Sequence, residues 1–480
     1  MSIWSSSVIL SENPPLTNDL QTEVAIIGGG IAGILTAYYL KKKGIDCVIL
    51  EKNRIAGGTT KNTTAKITSQ HGRIYHRLIK SFGEEKARQY AYANTLAIDE
   101  YERIIKEEQF TCHFERTSSY LYTTDDLKGL ISEADACKKL GIDSYITDKT
   151  SLPFEIEGAL CFENQAQFHP LEFIREIAKK LVIYENTVVT DVQGKKVYTP
   201  NAVVTANHIV FACHYPFINR IGHYYLKMHQ SMSYVVAILT SAKLFGIYRQ
   251  DKEDGLTLRS YENDILFGGM GHRTGVKCPE NVYSQLIHLA KIYFPQSELK
   301  DAWSTLDCMT HDYLPYIGRI SQNEPNLYVA TGFNKWGISN SLVAGMMISD
   351  MISGKKNPFE DVYSPERINV VPTAKNLIID GATMTASLIK ENLTIPQKEL
   401  SEVKNGSGAV INLNDEKVGV YKDQNGKTYV VSTKCPHLGC ELQWNKNDLT
   451  WDCPCHGSRF GYDGICCNNP ANTNLSCQIL

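Results

Sequence analysis

Residues 23–52 read EVAIIGGGIAGILTAYYLKKKGIDCVILEK. The apolar run Val24–Ile27 feeds Gly28-Gly29-Gly30, a helical stretch through Leu35, Ala37, Tyr38 and Leu40 follows, and Cys47–Leu50 form a second short apolar run that ends at Glu51. Strand, tight turn, helix and strand within about thirty residues make a βαβ unit of the kind that binds a dinucleotide. Gly28 permits the turn, Gly30 lets the backbone approach a pyrophosphate, and Gly33 allows the helix to pack close to the strand. The helix N-terminus then faces the anion. Glu51 follows Gly33 by 18 residues. Its carboxylate can accept from ribose hydroxyls and would repel a 2′-phosphate.

Working outward, 480 residues are too many for one core and suggest two or three domains. The net charge of −3 removes the electrostatic argument for nucleic acid. No apolar stretch reaches the roughly 20 residues of a spanning helix. The N-terminal MSIWSSSVILSENPPL lacks a basic flank and a long apolar run, so the expectation is a cytoplasmic protein. Helical patterns cover 84–107 and 171–182, and short β runs 116–123, 187–192, 208–213, 231–239 and 264–268. Residues 327–352 again read strand, glycine turn, helix. Charge and proline over 355–372 suggest a surface crossing, and 374–390 has the apolar period of a packed helix. From about residue 400 short strands with Gly, Asn and Asp turns announce a small all-β domain.

The run Ala56-Gly57-Gly58-Thr59-Thr60 follows Glu51 closely. A nicotinamide dehydrogenase does not need it, whereas a flavin enzyme threads such a run past the ribityl chain. In these blocks the chain resembles the FAD-dependent oxidases of the D-amino acid oxidase, glycine oxidase and sarcosine oxidase superfamily, over roughly residues 20–355. ENTVVTDV and ANHIVFAC are similar to its adenine-contacting strand and the return to the nucleotide domain, and LYVATGFNKWGIS to its C-terminal flavin turn. The resemblance implies an interleaved α+β substrate domain on a Rossmann-like α/β domain. It also implies adenine contact through Val189, and Gly332, Trp336, Gly337 and Ile338 near the flavin ring. A second glycine cluster, FGGMGHRTG at 267–275, lacks the fingerprint order. It is expected to be a substrate-domain strand near the flavin, and no NAD(P)H site is expected. On the substrate side His272 and Arg273 follow that cluster, and Arg273 could hold a carboxylate. Lys66 and His71 follow the FAD loop, and His71 could act as a base or a flavin contact.

Seven of the 14 cysteines lie after residue 434. CPHLGC at 435–440 and CPCHGS at 453–458 space Cys435 and His437 by one residue and Cys453 and His456 by two, with 15 residues between His437 and Cys453. Two thiols and two imidazoles suit tetrahedral zinc as well as a cluster. The extra cysteines and the His-Gly-Ser run favour the cluster. The region 400–480 resembles a Rieske domain, whose 2Fe–2S cluster has two thiolates on one iron and two imidazoles on the other. The resemblance implies ligands Cys435, His437, Cys453 and His456. It implies a disulfide between Cys440 and Cys455, a Ser458 hydroxyl on a bridging sulfide, and a covering loop at Asn469-Pro470-Ala471. Phe460 stands where high-potential members carry Tyr, so the potential is expected below theirs. Cys466 and Cys467 are expected to be small buried residues.

The expected layout is a FAD-dependent oxidoreductase at 1–355, a linker with a helix at 356–399, and a Rieske domain at 400–480. The expected activity is oxidation of an amine or amino acid, with electrons passed from flavin to the cluster and on to a one-electron acceptor. The alternative is an electron-transfer or redox-sensing protein without a small amine substrate. A Rieske oxygenase would need a mononuclear iron site. The pairs His71/His76, His208/His214 and His223/His229 are preceded at the Asp position by Thr68, Thr205 and Arg220.

Overall fold

The computed structural model describes residues 1–276, 278–367 and 399–480, which fall into two compact units. The expected helix over 374–390 lies outside the described residues.

The first unit takes Met1–His214, Ser233–Gly271 and the described residues from Tyr283 onward to 367. Its nucleotide sheet is built on Leu20–Ile27, which pairs in parallel with Cys47–Leu50 on one side and Val203–Phe211 on the other. Val182–Tyr184 and Glu324–Thr331 extend it in parallel, and Tyr316–Ser321 closes the edge antiparallel. Val24–Ile27 and Cys47–Leu50 are buried throughout, as strands covered on both faces must be. The helices Ile31–Lys42 and Gly337–Ile352 cover this sheet. A Cβ on Gly345 would sit 3.0 Å from the backbone of Leu35, so only glycine allows the two to lie this close. Glu84–Glu108 forms a 25-residue helix. A second, nine-stranded sheet carries the substrate domain. The strand expected over 187–192 is shorter, Asp191–Gln193, because the backbone ahead of it is taken up elsewhere: Thr187 N–H donates to Glu51 O at 2.9 Å.

The second unit takes Tyr215–Met232, the described part of 272–282, and 399–480. It is therefore larger than the cysteine-rich tail. Two four-stranded antiparallel sheets make its body: Ser407–Leu413, Glu416–Lys422, Thr428–Ser432 and Cys477–Ile479, then Gln443–Asn445, Thr450–Asp452, Arg459–Gly461 and Cys466–Asn468. Trp451, Phe460 and Leu442 are fully buried between the cysteines of the two boxes. Arg459 is buried and satisfied, with Nε on Asp452 Oδ1 at 3.0 Å and Nη2 on Asp448 Oδ2 at 2.6 Å. This ties down the hairpin that carries the second box. Cys466 is half-buried, and Cys467 is exposed rather than buried, because its strand lies at the sheet edge.

Candidate functional site

In the first unit Gly28 adopts φ +110°, and a Cβ there would lie 2.6 Å from Ala212 O. At Gly33 it would lie 2.0 Å from Gly28 O. Gly30 meets only Thr60 Oγ1, at 3.4 Å, so its backbone stays approachable. Thr60 Oγ1 also accepts from Ile31 N–H at 3.2 Å. Both oxygens of Glu51 hold backbone N–H groups, Gly29 at 2.8 Å and Asn53 at 2.9 Å. Each keeps a lone pair for a ribose hydroxyl, and burial pushes the carboxyl pKa up. The buried Glu185 accepts from Asn13 N–H, Ile55 N–H and Arg54 Nε, at 2.7, 2.7 and 3.0 Å. It thereby gathers the segments around the strand end, and Val189 lies buried just beyond. Thr59 Oγ1 donates to Leu306 O at 3.2 Å, while Gly58 has open space around it.

Gly332, Asn334 and Lys335 have φ of +71°, +51° and +72°. These left-handed residues turn the chain into helix Gly337–Ile352, whose N-cap, Trp336, gives no side-chain cap. The N–H groups of the first turn thus remain for a ligand. His71 stacks on Trp336 with ring centroids 4.5 Å apart. Its Nδ1 is 2.6 Å from Tyr90 Oη and its Nε2 2.7 Å from Thr68 O. Burial pushes its pKa down to about 3. With both nitrogens engaged, His71 braces Trp336 and is not a free base.

Behind Trp336 lies a group of half-buried charges that the sequence does not single out, Lys66 apart. The Arg249 guanidinium sits 5.6 Å from the Trp336 ring. Its field is felt by Lys66, Asp307 and Lys335. Lys66 donates to Thr257 Oγ1, and Lys335 Nζ to Ser233 Oγ at 3.2 Å. Burial lowers the pKa of Lys66, Lys335 and Arg249, and raises that of Asp307 to about 6. Asp251, Glu253 and Asp307 act on Arg249, and Asp307, Glu253 and Asp254 on Lys335, so the group is of mixed charge, with the Arg249 guanidinium a fork that suits an anionic substrate group.

In the second unit the two boxes fold as the same six-residue turn. Cys435 N–H donates to Cys440 O and Cys453 N–H to Ser458 O, at 2.9 and 2.8 Å. Gly439 N–H returns to Cys435 O and Gly457 N–H to Cys453 O, both at 2.9 Å. These glycines have φ of +77° and +80°, a conformation that glycine adopts without strain. Cys440 and Cys455 are joined by a disulfide, which links the two turns. Its sulfurs and Cys453 Sγ lie within 4.8 Å of one another. With Cys440 and Cys455 so joined, Cys435 and Cys453 are the thiols left to bind metal. The Cys453 thiol, with the N–H groups of His437 and Leu438 and the Ser458 hydroxyl, outweighs burial and brings Cys435 down to about 7. A thiolate, the ligand form, is thereby favoured.

The imidazoles of His437 and His456 stand 4.9 Å apart at 88°. His437 Nε2 lies 2.7 Å from Asn219 Oδ1, and its Nδ1 is buried without a hydrogen-bond partner among the described residues. That pattern puts the proton on Nε2 and a lone pair on Nδ1, as a metal ligand requires. Burial keeps the ring neutral, its pKa pushed down to about 4. Gln230 Nε2 donates to His456 O at 2.8 Å and Asn469 O at 2.9 Å. Arg273 reaches Pro454 O at 3.4 Å and Cys455 O at 3.3 Å. These contacts secure the second box. His272 likewise belongs to this unit, not to the one that holds His71.

The family model for FAD dependent oxidoreductases matches residues 23–351, and that for the Rieske [2Fe-2S] domain matches 394–478. The chain belongs to the FAD dependent oxidoreductase family. It carries a Rieske domain as well, and its cofactors are FAD and a 2Fe–2S cluster. The glycine cradle with Glu51 fits the first group, and the orphaned His437 Nδ1 beside two thiols fits the second.

Among relatives, the Rieske 2Fe-2S iron-sulfur protein YhfW of Bacillus subtilis is 38% identical over 98% of this chain and 95% of its own. The gamma-glutamylputrescine oxidoreductase of Escherichia coli is 22% identical over 72% of this chain and 87% of its own. Among solved structures, an L-amino acid deaminase from Proteus vulgaris has TM-score 0.62 and 19% identity, covering 75% of this chain and 97% of that one. Glycine oxidase from Bacillus cereus has TM-score 0.59 and 20% identity over 73% and 99%. At these identities the two structures establish the fold. No described helix is long and apolar enough to cross a membrane.

Proposed function

We propose that this oxidoreductase oxidises a small amine or amino acid at the flavin and passes the electrons singly through the Rieske cluster to a one-electron acceptor. Oxidation of a CH–NH unit to C=N releases two electrons and two protons, and hydrolysis of the imine completes the change. FAD, when bound, accepts the electron pair and can release it one electron at a time. Glu51 would hold the ribose, Gly28, Gly30 and Gly33 the pyrophosphate, Gly58 and Thr59 the ribityl chain, and Val189 the adenine. The Gly332 turn and the N–H groups at Trp336, Gly337 and Ile338 would face the flavin ring, with the helix N-terminus stabilising negative charge there. Arg249, backed by Lys66 and Lys335, would anchor an anionic substrate group. Cys435, His437, Cys453 and His456 would hold the cluster. The setting is cytoplasmic.

One observation carries the electron path. Residues 215–232 and 272–282 lie inside the stretch matched to the FAD family, yet they belong to the compact unit that contains the cluster boxes. Evolution of a flavin enzyme alone gives no reason for that. The test is anaerobic. Small amines that bleach the flavin of the intact protein should also bleach it in a His456→Ala variant that lacks the cluster. That variant should deliver electrons to ferricyanide or cytochrome c much more slowly. Equal delivery by both proteins would remove the cluster from the path.

A further inference from the structure

The segment 215–232 offers two side chains to the imidazoles. Asn219 Oδ1 accepts from His437 Nε2 at 2.7 Å. The ring of Tyr225 stands edge-on to both imidazoles, with centroids 6.4 Å from His437 and 6.0 Å from His456. His456 itself is fully buried. Elsewhere the first box is open, and Leu438, the next residue in it, is 43% exposed. So the polar edge of the ligand ring is closed while its apolar neighbour is left bare. Burial alone would favour the opposite arrangement.

From this we infer that Asn219 is the positioning residue of His437, and that segment 215–232 is the built-in partner of the imidazole edge. The inference rests on the ligand reading given above. A ring held at Nε2 cannot rotate about its Cβ–Cγ bond, so the Nδ1 lone pair keeps one direction. The acceptor also draws the Nε2 proton away, which makes the ring a stronger donor to metal. An outside carrier therefore does not meet these imidazoles directly.

Two variants of the full-length holoprotein test this, with Asn219→Ser in reserve and His437→Ala as the control on the ligand. Asn219→Leu removes the acceptor, and Asn219→Asp replaces it by an anion. The reduced cluster carries one more negative charge, so a stronger acceptor disfavours reduction. The midpoint potential should rise in the order Asp, Asn, Leu. Each step should be about fivefold in the reduction equilibrium, about 40 mV at 59 mV per decade. Asn219→Leu should also shift the electron paramagnetic resonance g-values of the reduced cluster, since its ligand ring is freed to turn. If Asn219→Asp fails to retain iron, Asn219→Ser takes its place and should fall between Asn and Leu. Unchanged midpoint and g-values in variants with full iron content would overturn the inference and leave the ligand assignment standing. His437→Ala with a full, unaltered cluster would overturn the ligand assignment itself.

Discussion

Gly275 offers a sharp test of the composite second unit. A Cβ there would lie 2.3 Å from Cys453 C and Pro454 N and 2.6 Å from Pro454 Cα. These are backbone atoms in the box that carries His456, and they cannot swing aside as a side-chain tip can. Relief to ordinary contact needs a retreat of about 1 Å. Gly275 also has φ +71°, where alanine costs about 1–2 kcal/mol. Overpacking adds about 1–3 kcal/mol. The retreat would stretch the Arg273 contacts to Pro454 O and Cys455 O, already at 3.4 and 3.3 Å. Gly275→Ala should therefore cost the cluster unit about 2–5 kcal/mol. The thermal loss of the cluster's visible circular dichroism should move down by about 10 °C or more. FAD content, read from the absorption of flavin released by denaturation, should stay at the wild-type level. Cluster loss at the wild-type temperature would refute the idea that residues 272–282 are part of the cluster's wall.

Two further outcomes can be stated. Arg249→Met should weaken the binding of small carboxylates, read as a perturbation of the flavin spectrum, by about 30-fold, the value of one charged hydrogen bond of about 2 kcal/mol. Retained affinity would move the anion site elsewhere. His169 caps helix Pro170–Ala178 through Nδ1, which accepts from Glu172 N–H at 3.2 Å, and burial pushes its pKa down to about 4. Its folded pKa lies below the unfolded value of about 6.5, so the unfolded chain takes up the proton first and stability is lost as pH falls from about 6.5 towards 4. By urea unfolding, the loss between pH 7 and pH 5 should be smaller in His169→Asn by about 2 kcal/mol, since Asn caps the helix without titrating.

The parts legible in the sequence were those whose chemistry is local. Gly28, Gly30 and Gly33 answer to backbone approaches within one βαβ unit, and each cysteine box closes its own turn around its own glycine. Arg249 was not legible. It lies in the four-residue strand Ile247–Gln250, and its place beside Trp336 depends on pairing with residues 119–122. Asn219 and Gln230 carry no local signal, because their partners lie 218 and 226 residues further on. The contacts of Arg273 with the second box were hidden for a related reason. Backbone carbonyls are its partners, and no side-chain pattern announces them. His71 was legible as a residue beside the flavin turn, but that both its nitrogens are engaged is visible only in the structure.

The second unit draws on three stretches of chain, and this sets an order on biosynthesis. Residues 215–232 and 272–282 leave the ribosome well before Cys453. At about 5–20 residues per second, the 171 residues from 282 to 453 take roughly ten to thirty seconds. For that interval Gln230 and Arg273 have no His456 or Pro454 carbonyl to bind, and Asn219 has no imidazole. The flavin-binding sheet can close during this pause, because the strands around the fingerprint, from Leu20–Ile27 through Val203–Phe211, have already emerged. A cluster can be completed only after Cys453 and His456 have emerged. Until then the half-built wall waits for its missing side, and nascent chains stalled before the cysteine boxes would present that wall bare to chaperones.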